Sequence, residues 1–455
     1  MNRPTTQIFL ASTLYGTATL AAAVDAGACD PTDPADPPVH RILLTSDNAP
    51  IPEVAPPLAS MPGFDALRSR FDEVLDWNAA IAPFHPGAWT PRPEDAPLWE
   101  RQLRALWGLG DDRIELYVES VQVAPAQALC RLFPGAAVEV YADGLMSYGP
   151  TRFRLDPQLG TRVRRVLHLD LVPGLEPLLL TEFGVPARTV PTDAFLKVLA
   201  ELPAPEAGPD EEPPALLLGQ YLSALDLLTA AEEEELHAAM VRGACARGHR
   251  RLLFKPHPGA PAGYSRRAEE EAARLGVPLR VLPATVLAET LFASIRPALV
   301  VGCFSTALLT AATLYGLPVA RTGTEQVLAR LTPYQNSNRV PLVLVDALVP
   351  DLAEPAPPLP DLPALLTAVP HLPALLTAVG FTMQPKVLAA RRPEAEAYLA
   401  AHLTPRTRPY FTRRRLTSLA LPGGRVPTRL TPLATHHTLR RLRRAVLRLR
   451  RAAAG

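Results

Sequence analysis

Short apolar runs that stop at a turn and give way to an Ala- or Leu-rich helical stretch recur along this chain. That alternation constrains its fold more than any other feature. Gln7 to Ala11 runs into Ser12-Thr13-Leu14-Tyr15-Gly16 and then an Ala-rich segment ending at Gly27. Arg41 to Ser46, Asp112 to Val121, Val138 to Ala142 and Val163 to Leu171 repeat the strand signal, and Ala124 to Phe133 reads as a helix with a Pro-Gly stop. Near-continuous apolar strands interleaved with helices indicate a parallel sheet covered on both faces, because each parallel step needs a crossover. Residues 60–80 read as a further helix, with Asp72, Glu73 and Asp76 on its solvated face. Trp77, Trp89, Trp99 and Trp107 read as packing residues of an irregular region.

The pattern restarts after a Pro-rich, acidic break at 202–214, which has nothing to bury and marks a linker. Beyond it come a strand at Ala215 to Leu218, a helix over 229–247, a strand through Lys255 and a helix at about 264–275. A strand at Leu279 to Leu282, a helix at Thr285 to Ser294 and strands at Pro297 to Val301 and Val319 to Arg321 follow. The expected organisation is therefore an α/β chain with one Rossmann-like unit over 1–201, a linker, a second over 215–385 and a helical, Arg-rich tail over 386–455. A tandem decapeptide at 361–380, DLPALLTAVP then HLPALLTAVG, is too short for a solenoid and reads as a helical or loop insert.

Composition adds limits. The 455 residues carry a net charge of +1, but Leu403 to Gly455 holds 14 Arg and no acidic residue, so the preceding part is net acidic. Leu439, Leu442, Val446 and Leu449 recur at helical spacing among those arginines, which suits an amphipathic helix on an anionic membrane; a solvated tail is the other reading. The tail lacks interleaved aromatics and no nucleic-acid-binding motif is present, so no nucleic-acid partner is expected. Cys29, Cys130, Cys245 and Cys303 show no CxxC spacing and read as reduced core residues of a cytoplasmic protein. Polar residues interrupt the apolar stretch at 8–24, which argues against a signal peptide.

Three stretches carry chemistry. The first is LLFKPHPGA at 252–260, where a buried strand ends in a cationic, titratable turn. The carboxyl edge of a parallel sheet is where ligands bind. Pro258 can open a following helix, whose N-terminus would favour a phosphate. The second is Ala142-Asp143-Gly144 at the end of a strand, suited to a general base but equally to an ordinary Asp-Gly turn. In the third, Gly302-Cys303-Phe304-Ser305-Thr306, two hydroxyls stand at a helix start after a Gly-containing turn, suited to phosphate binding or to capping alone. Lys255 adds charge beside His257 or is simply solvated, and Ser12, Thr13 and Gly16 form either a ligand-facing loop or a helix cap.

In order and placement these stretches resemble the bacterial polysialyltransferase-like family of sialyltransferases. Ala142-Asp143-Gly144 stands at its acidic-acidic-Gly motif, His257-Pro258 at its His-Pro motif and Ser305-Thr306 at its Ser-Ser/Thr motif, over roughly residues 6–340. The resemblance implies a GT-B-like fold, two Rossmann-like units facing a cleft, and inverting transfer of a sialic-acid-type sugar from a CMP-sugar donor to a glycan or glycolipid acceptor. It makes Asp143 the base and His257 the partner of the leaving phosphate. Lys255, Pro258, Gly302, Ser305 and Thr306 would lie along the donor, and neither metal nor other cofactor is needed. Peripheral attachment to the inner face of the plasma membrane would suit the tail. The first acidic position departs from the motif, being Ala142. Glycerophosphotransferases of cell-wall polymer synthesis, with CDP-linked donors, share the His-Pro motif and stand as an alternative. A catalytically inactive nucleotide- or glycan-binding homologue is another.

Overall fold

A computed structural model describes residues 3–31, 37–204, 212–260, 263–354, 369 and 371–425. Its first seven strands are β1 (Thr5–Ala11), β2 (His40–Thr45), β3 (Glu73–Asp76), β4 (Arg113–Val118), β5 (Ala137–Ala142), β6 (Val163–Leu169) and β7 (Ala187–Val190). Five more follow: β8 (Ala215–Leu218), β9 (Leu252–Lys255), β10 (Leu279–Val281), β11 (Leu299–Gly302) and β12 (Val319–Arg321). The first seven form one sheet in the order β3-β2-β1-β4-β5-β6-β7, the last five a second in the order β10-β9-β8-β11-β12. Every strand pair within both sheets is parallel. Each order reverses beside its first strand, between β1 and β4 and between β8 and β11. Such reversals open a crevice at the carboxyl ends of doubly wound sheets.

The central strands are dry because helices cover both faces: Ile8, Phe9 and Leu10 of β1 and Ala215 to Leu218 of β8 are all buried. Each large apolar side chain so enclosed contributes about 1.5–3 kcal/mol. Trp77 is fully buried and Trp107 nearly so, while Trp89 and Trp99 pack edge to face beside them, so the tryptophans are core. All four cysteines are buried and free.

Two expectations about local structure are corrected. Residues 60–80 are not one helix: a short helix Phe64–Arg68 gives way to edge strand β3, which carries Glu73 and Asp76. β7, a second edge strand with three exposed residues out of four, gave no apolar run to read. The second decapeptide copy is the buried helix Leu372–Met383; apart from Val369 the first copy lies outside the described residues, as do 205–211 of the break and the amphipathic stretch of the tail.

The two sheets face one another across their carboxyl edges. The Leu145 amide reaches Thr306 Oγ1 at 3.5 Å, the Thr313 hydroxyl donates to the Leu171 carbonyl at 2.8 Å, and Tyr15 Oη lies 3.5 Å from Thr310 Oγ1. The helix Leu372–Met383 returns to the first unit, where Gly380 packs close to Leu178 and Gln384 just beyond donates to the Arg152 carbonyl. This is the α/β, GT-B-like arrangement expected.

Candidate active site

In the first unit Asp143 follows β5 directly and is half-buried. Its carboxylate lies over the turn that follows β1. A Cβ added to Gly16 would stand 3.4 Å from Asp143 Oδ2, 3.2 Å from the Tyr141 hydroxyl and 3.0 Å from Thr13 Oγ1. The local sequence makes this cradle: Thr13 caps the helix Leu14–Asp25 by accepting from the Gly16 amide, and a glycine at that point leaves room for the acid.

A second carboxylate stands nearby. Glu119, just beyond β4 at the switch point, accepts from the Ser12 hydroxyl at 2.7 Å and from the Tyr141 hydroxyl at 3.4 Å; the latter also donates to the Leu10 carbonyl. Burial above all, with the Glu119 charge and then Glu289 of the other unit adding in the same direction, pushes the Asp143 carboxyl up to about 7. Burial also raises Glu119 above the ordinary range against its two hydrogen bonds. Ala142 thus leaves the site with two carboxylates after all, one of them supplied by the adjacent strand.

In the second unit, β9 ends at buried Lys255, whose ammonium donates to the Pro256 and Ala284 carbonyls at 2.6 and 3.0 Å. Burial lowers Lys255 to about 8, and Glu289, itself buried and lifted to about 7, opposes that shift. His257 is lowered to about 4 by burial and by Lys255, so it is neutral at neutral pH. Its Nδ1 accepts from the Gly259 amide at 3.0 Å, which leaves the ring proton on Nε2 as a donor. Tyr221, after β8, packs its ring 4.2 Å from that of His257.

Pro258 does not open a helix. The Ala260 amide bonds back to the His257 carbonyl at 2.9 Å, so Pro258 and Gly259 form the corner of a turn, and the next helix begins only at Arg266. The helix N-terminus in this unit lies instead after β11. There Ser305 caps the helix Thr306–Tyr315 by accepting from the Ala307 amide, which leaves its hydroxyl proton free to donate, and the Phe304 amide is held by Gln220 across the switch point. Gly302 closes β11 with its backbone over Leu308.

Of the expected residues, Thr306 meets the turn that follows Asp143, at Gly144 and Leu145. Lys255 and His257 share one turn, and Glu289 links that turn electrostatically to Asp143. The sequence reading missed Glu119 and left Glu289 and Tyr15 without roles. Position just beyond a strand at a switch point is the signal that would have found Glu119.

Two Rossmann-like units closed over a buried acid, a neutral histidine donor and a hydroxyl-bearing helix start define a glycosyltransferase cleft. The alpha-2,8-polysialyltransferase family model matches residues 7–324, and the chain belongs to that family. It is accordingly a sialyltransferase-type glycosyltransferase, working with a nucleotide-sugar donor and a glycan acceptor. No curated protein matches the sequence. Solved structures with distant likeness include a Photobacterium damselae sialyltransferase GT-B domain, at 12% identity, 75% of this chain, 96% of that one and a TM-score of 0.39. Acinetobacter baumannii MurG shows 11%, 87%, 95% and 0.40, and the E. coli heptosyltransferase WaaC with ADP-2-deoxy-2-fluoro heptose 13%, 70%, 88% and 0.34. Among the described residues no helix is long and apolar enough to cross a membrane.

Proposed function

We propose that the protein transfers a sialic-acid-type sugar from a CMP-linked donor to an acceptor hydroxyl with inversion. Asp143 takes the acceptor proton as that oxygen bonds to the anomeric carbon. The bond from the anomeric carbon to the phosphate oxygen breaks on the opposite face, and its electron pair leaves with CMP. His257 donates a hydrogen bond from Nε2 to the departing phosphate, since a histidine held neutral is a better donor than a proton source at pH 7. The Ser305 and Thr306 hydroxyls and the amides at the helix start meet the same phosphate's charge, with Lys255, Pro258 and Gly302 lining its approach. The reaction so written needs no metal or further cofactor. What carries the reading is the contact between the turn after Asp143 and Thr306, which sets base and phosphate cradle on either side of one cleft.

Calorimetry with CMP, CDP and UDP tests it. CMP-selective binding, weakened at least tenfold in His257→Ala, is the expected result; a preference for CDP or UDP, or no binding, overturns the CMP donor. The arginine-rich tail is proposed to hold the enzyme on anionic membrane. Removing residues 436–455 should weaken binding to anionic vesicles in a salt-sensitive way, and unchanged binding removes that role.

A further inference from the structure

β8 lies between β9, which leads to His257, and β11, which leads to Ser305, so the loop that follows it touches both parts of the phosphate site. This loop is Gly219-Gln220-Tyr221-Leu222-Ser223. It starts pressed against β9: the Gly219 amide donates to the Lys255 carbonyl at 2.9 Å, and a Cβ at Gly219 would stand 2.7 Å from the Phe254 ring. Gln220 accepts from the Phe304 amide at 3.0 Å, one residue before the Ser305 cap. Tyr221 sets its ring 4.2 Å from that of His257, inclined by 46°. Leu222 turns inward and is fully buried.

What holds the loop is a fully buried carboxylate. Glu233, on the helix Ala230–Ala246, accepts from the Leu222 amide at 2.6 Å, the Ser223 amide at 2.9 Å and the Ser223 hydroxyl at 2.7 Å. A buried charge is costly unless donors of this kind meet it, so loop and carboxylate specify one another. The Ser223 hydroxyl also meets the Tyr264 hydroxyl, and the Tyr264 carbonyl accepts from Nδ1 of His237 at 3.2 Å, one turn further along the same helix. One helix therefore grips both the loop that bears Tyr221 and the chain that follows the His257 turn.

Little freedom remains to the His257 ring. The Gly259 amide engages Nδ1 at one edge while Tyr221 packs against the ring, which leaves Nε2 to face a ligand. Among the described residues the Tyr221 hydroxyl makes no hydrogen bond, so its contribution to His257 is that of the ring.

We propose that Tyr221 is the positioning residue of His257 and Glu233 the clamp that sets Tyr221, together aiming the Nε2 proton at the departing phosphate. This rests on the reading of His257 as the partner of the leaving group.

The test follows the imidazole itself, by NMR of the full-length protein labelled with 15N-histidine and without substrate, using His257→Gln to assign its signals. The ring should titrate at about 4, as the Nε2–H tautomer. Tyr221→Ala admits water to the ring and should raise that value by about one pH unit or more and mix the tautomers. Tyr221→Phe should leave both as they are. Glu233→Gln, with one acceptor oxygen where the carboxylate uses two, should move them as Tyr221→Ala does. In transfer assays Tyr221→Ala should lower kcat at least tenfold, yet cost less than threefold more when added to His257→Ala, because the two residues act as a unit. An unmoved imidazole in folded Tyr221→Ala, an equal displacement in Tyr221→Phe, or losses that multiply in the double variant each overturn the positioning role. The titration needs no donor, so the expected response in a protein that fails to bind CMP would end the donor reading alone.

Discussion

At Asp143 burial and a like charge act in the same direction, and the like charge comes from a residue no local pattern connects to it. Glu119 lies just beyond the neighbouring strand β4, and its carboxylate is fixed by Ser12 and Tyr141. Its removal has a readable sign. Glu119→Gln keeps an oxygen for those hydroxyls but takes away the charge that helps hold Asp143 at about 7. A base with a lower pKa is available at lower pH, so the acid limb of the kcat/KM profile should move down by about one to two pH units. An unmoved limb would mean that Glu119 only braces Ser12 and Tyr141. Asp143→Ala in the same assay should lose about 10²–10⁴-fold, the ordinary worth of general base catalysis; full activity would remove Asp143 from that role.

At the scale of elements, the strands that bear the site were legible because they are central and carry apolar runs or a clear apolar alternation: β1, β4, β5, β8, β9 and β11 all read directly from the sequence. β3 and β7 were not, since edge strands bury too little to show a run, and EVLD beside acidic neighbours resembles a solvated helix face. The Pro258 turn misled for a related reason. A proline after a strand signals a helix start, but the His257 ring captures the Gly259 amide and closes the turn on itself. Asp143, His257, Ser305 and Thr306 could be read as site residues because each directly follows a strand or turn of its own unit. The pairing of Asp143 with Glu119 and with Glu289 depends on strand order and closure of the two units, which no short stretch encodes. The cradle under Asp143 gives an element-scale test. Gly16→Ala sits in a helix, where alanine is intrinsically favoured by about 1 kcal/mol. Its Cβ would press on Thr13 Oγ1 and Tyr141 Oη and come into contact with Asp143 Oδ2. Thermal stability should therefore hold or rise slightly while kcat/KM falls at least tenfold, because reacting groups tolerate little displacement. Equal activity would show that the acid does not depend on this turn.

Over the whole molecule, the closed cleft that raises these carboxyls must also load the fold. Asp143 and Glu289 belong to different units, yet both are held at about 7, above the usual carboxylate range near 4. Between those values the folded chain binds more protons than the unfolded one. The stability they allow is thus present in full below about pH 4 and lost as pH rises through about 7. As the proposed base, Asp143 must be ionised to work, so activity is expected only where this loss has been incurred. Asp143→Asn separates the two effects, since its amide fills the same space without ionising. Its Tm should exceed that of the unsubstituted protein by several degrees at pH 8, and the difference should shrink towards zero at about pH 3.5, where the carboxyl is neutral in the unfolded chain as well as in the folded one. Calorimetric scans at the two pH values check this. Equal Tm values at pH 8 would mean that the cleft stays hydrated enough to carry the charge without cost, and the raised acid limb expected for Asp143 would then lack its cause.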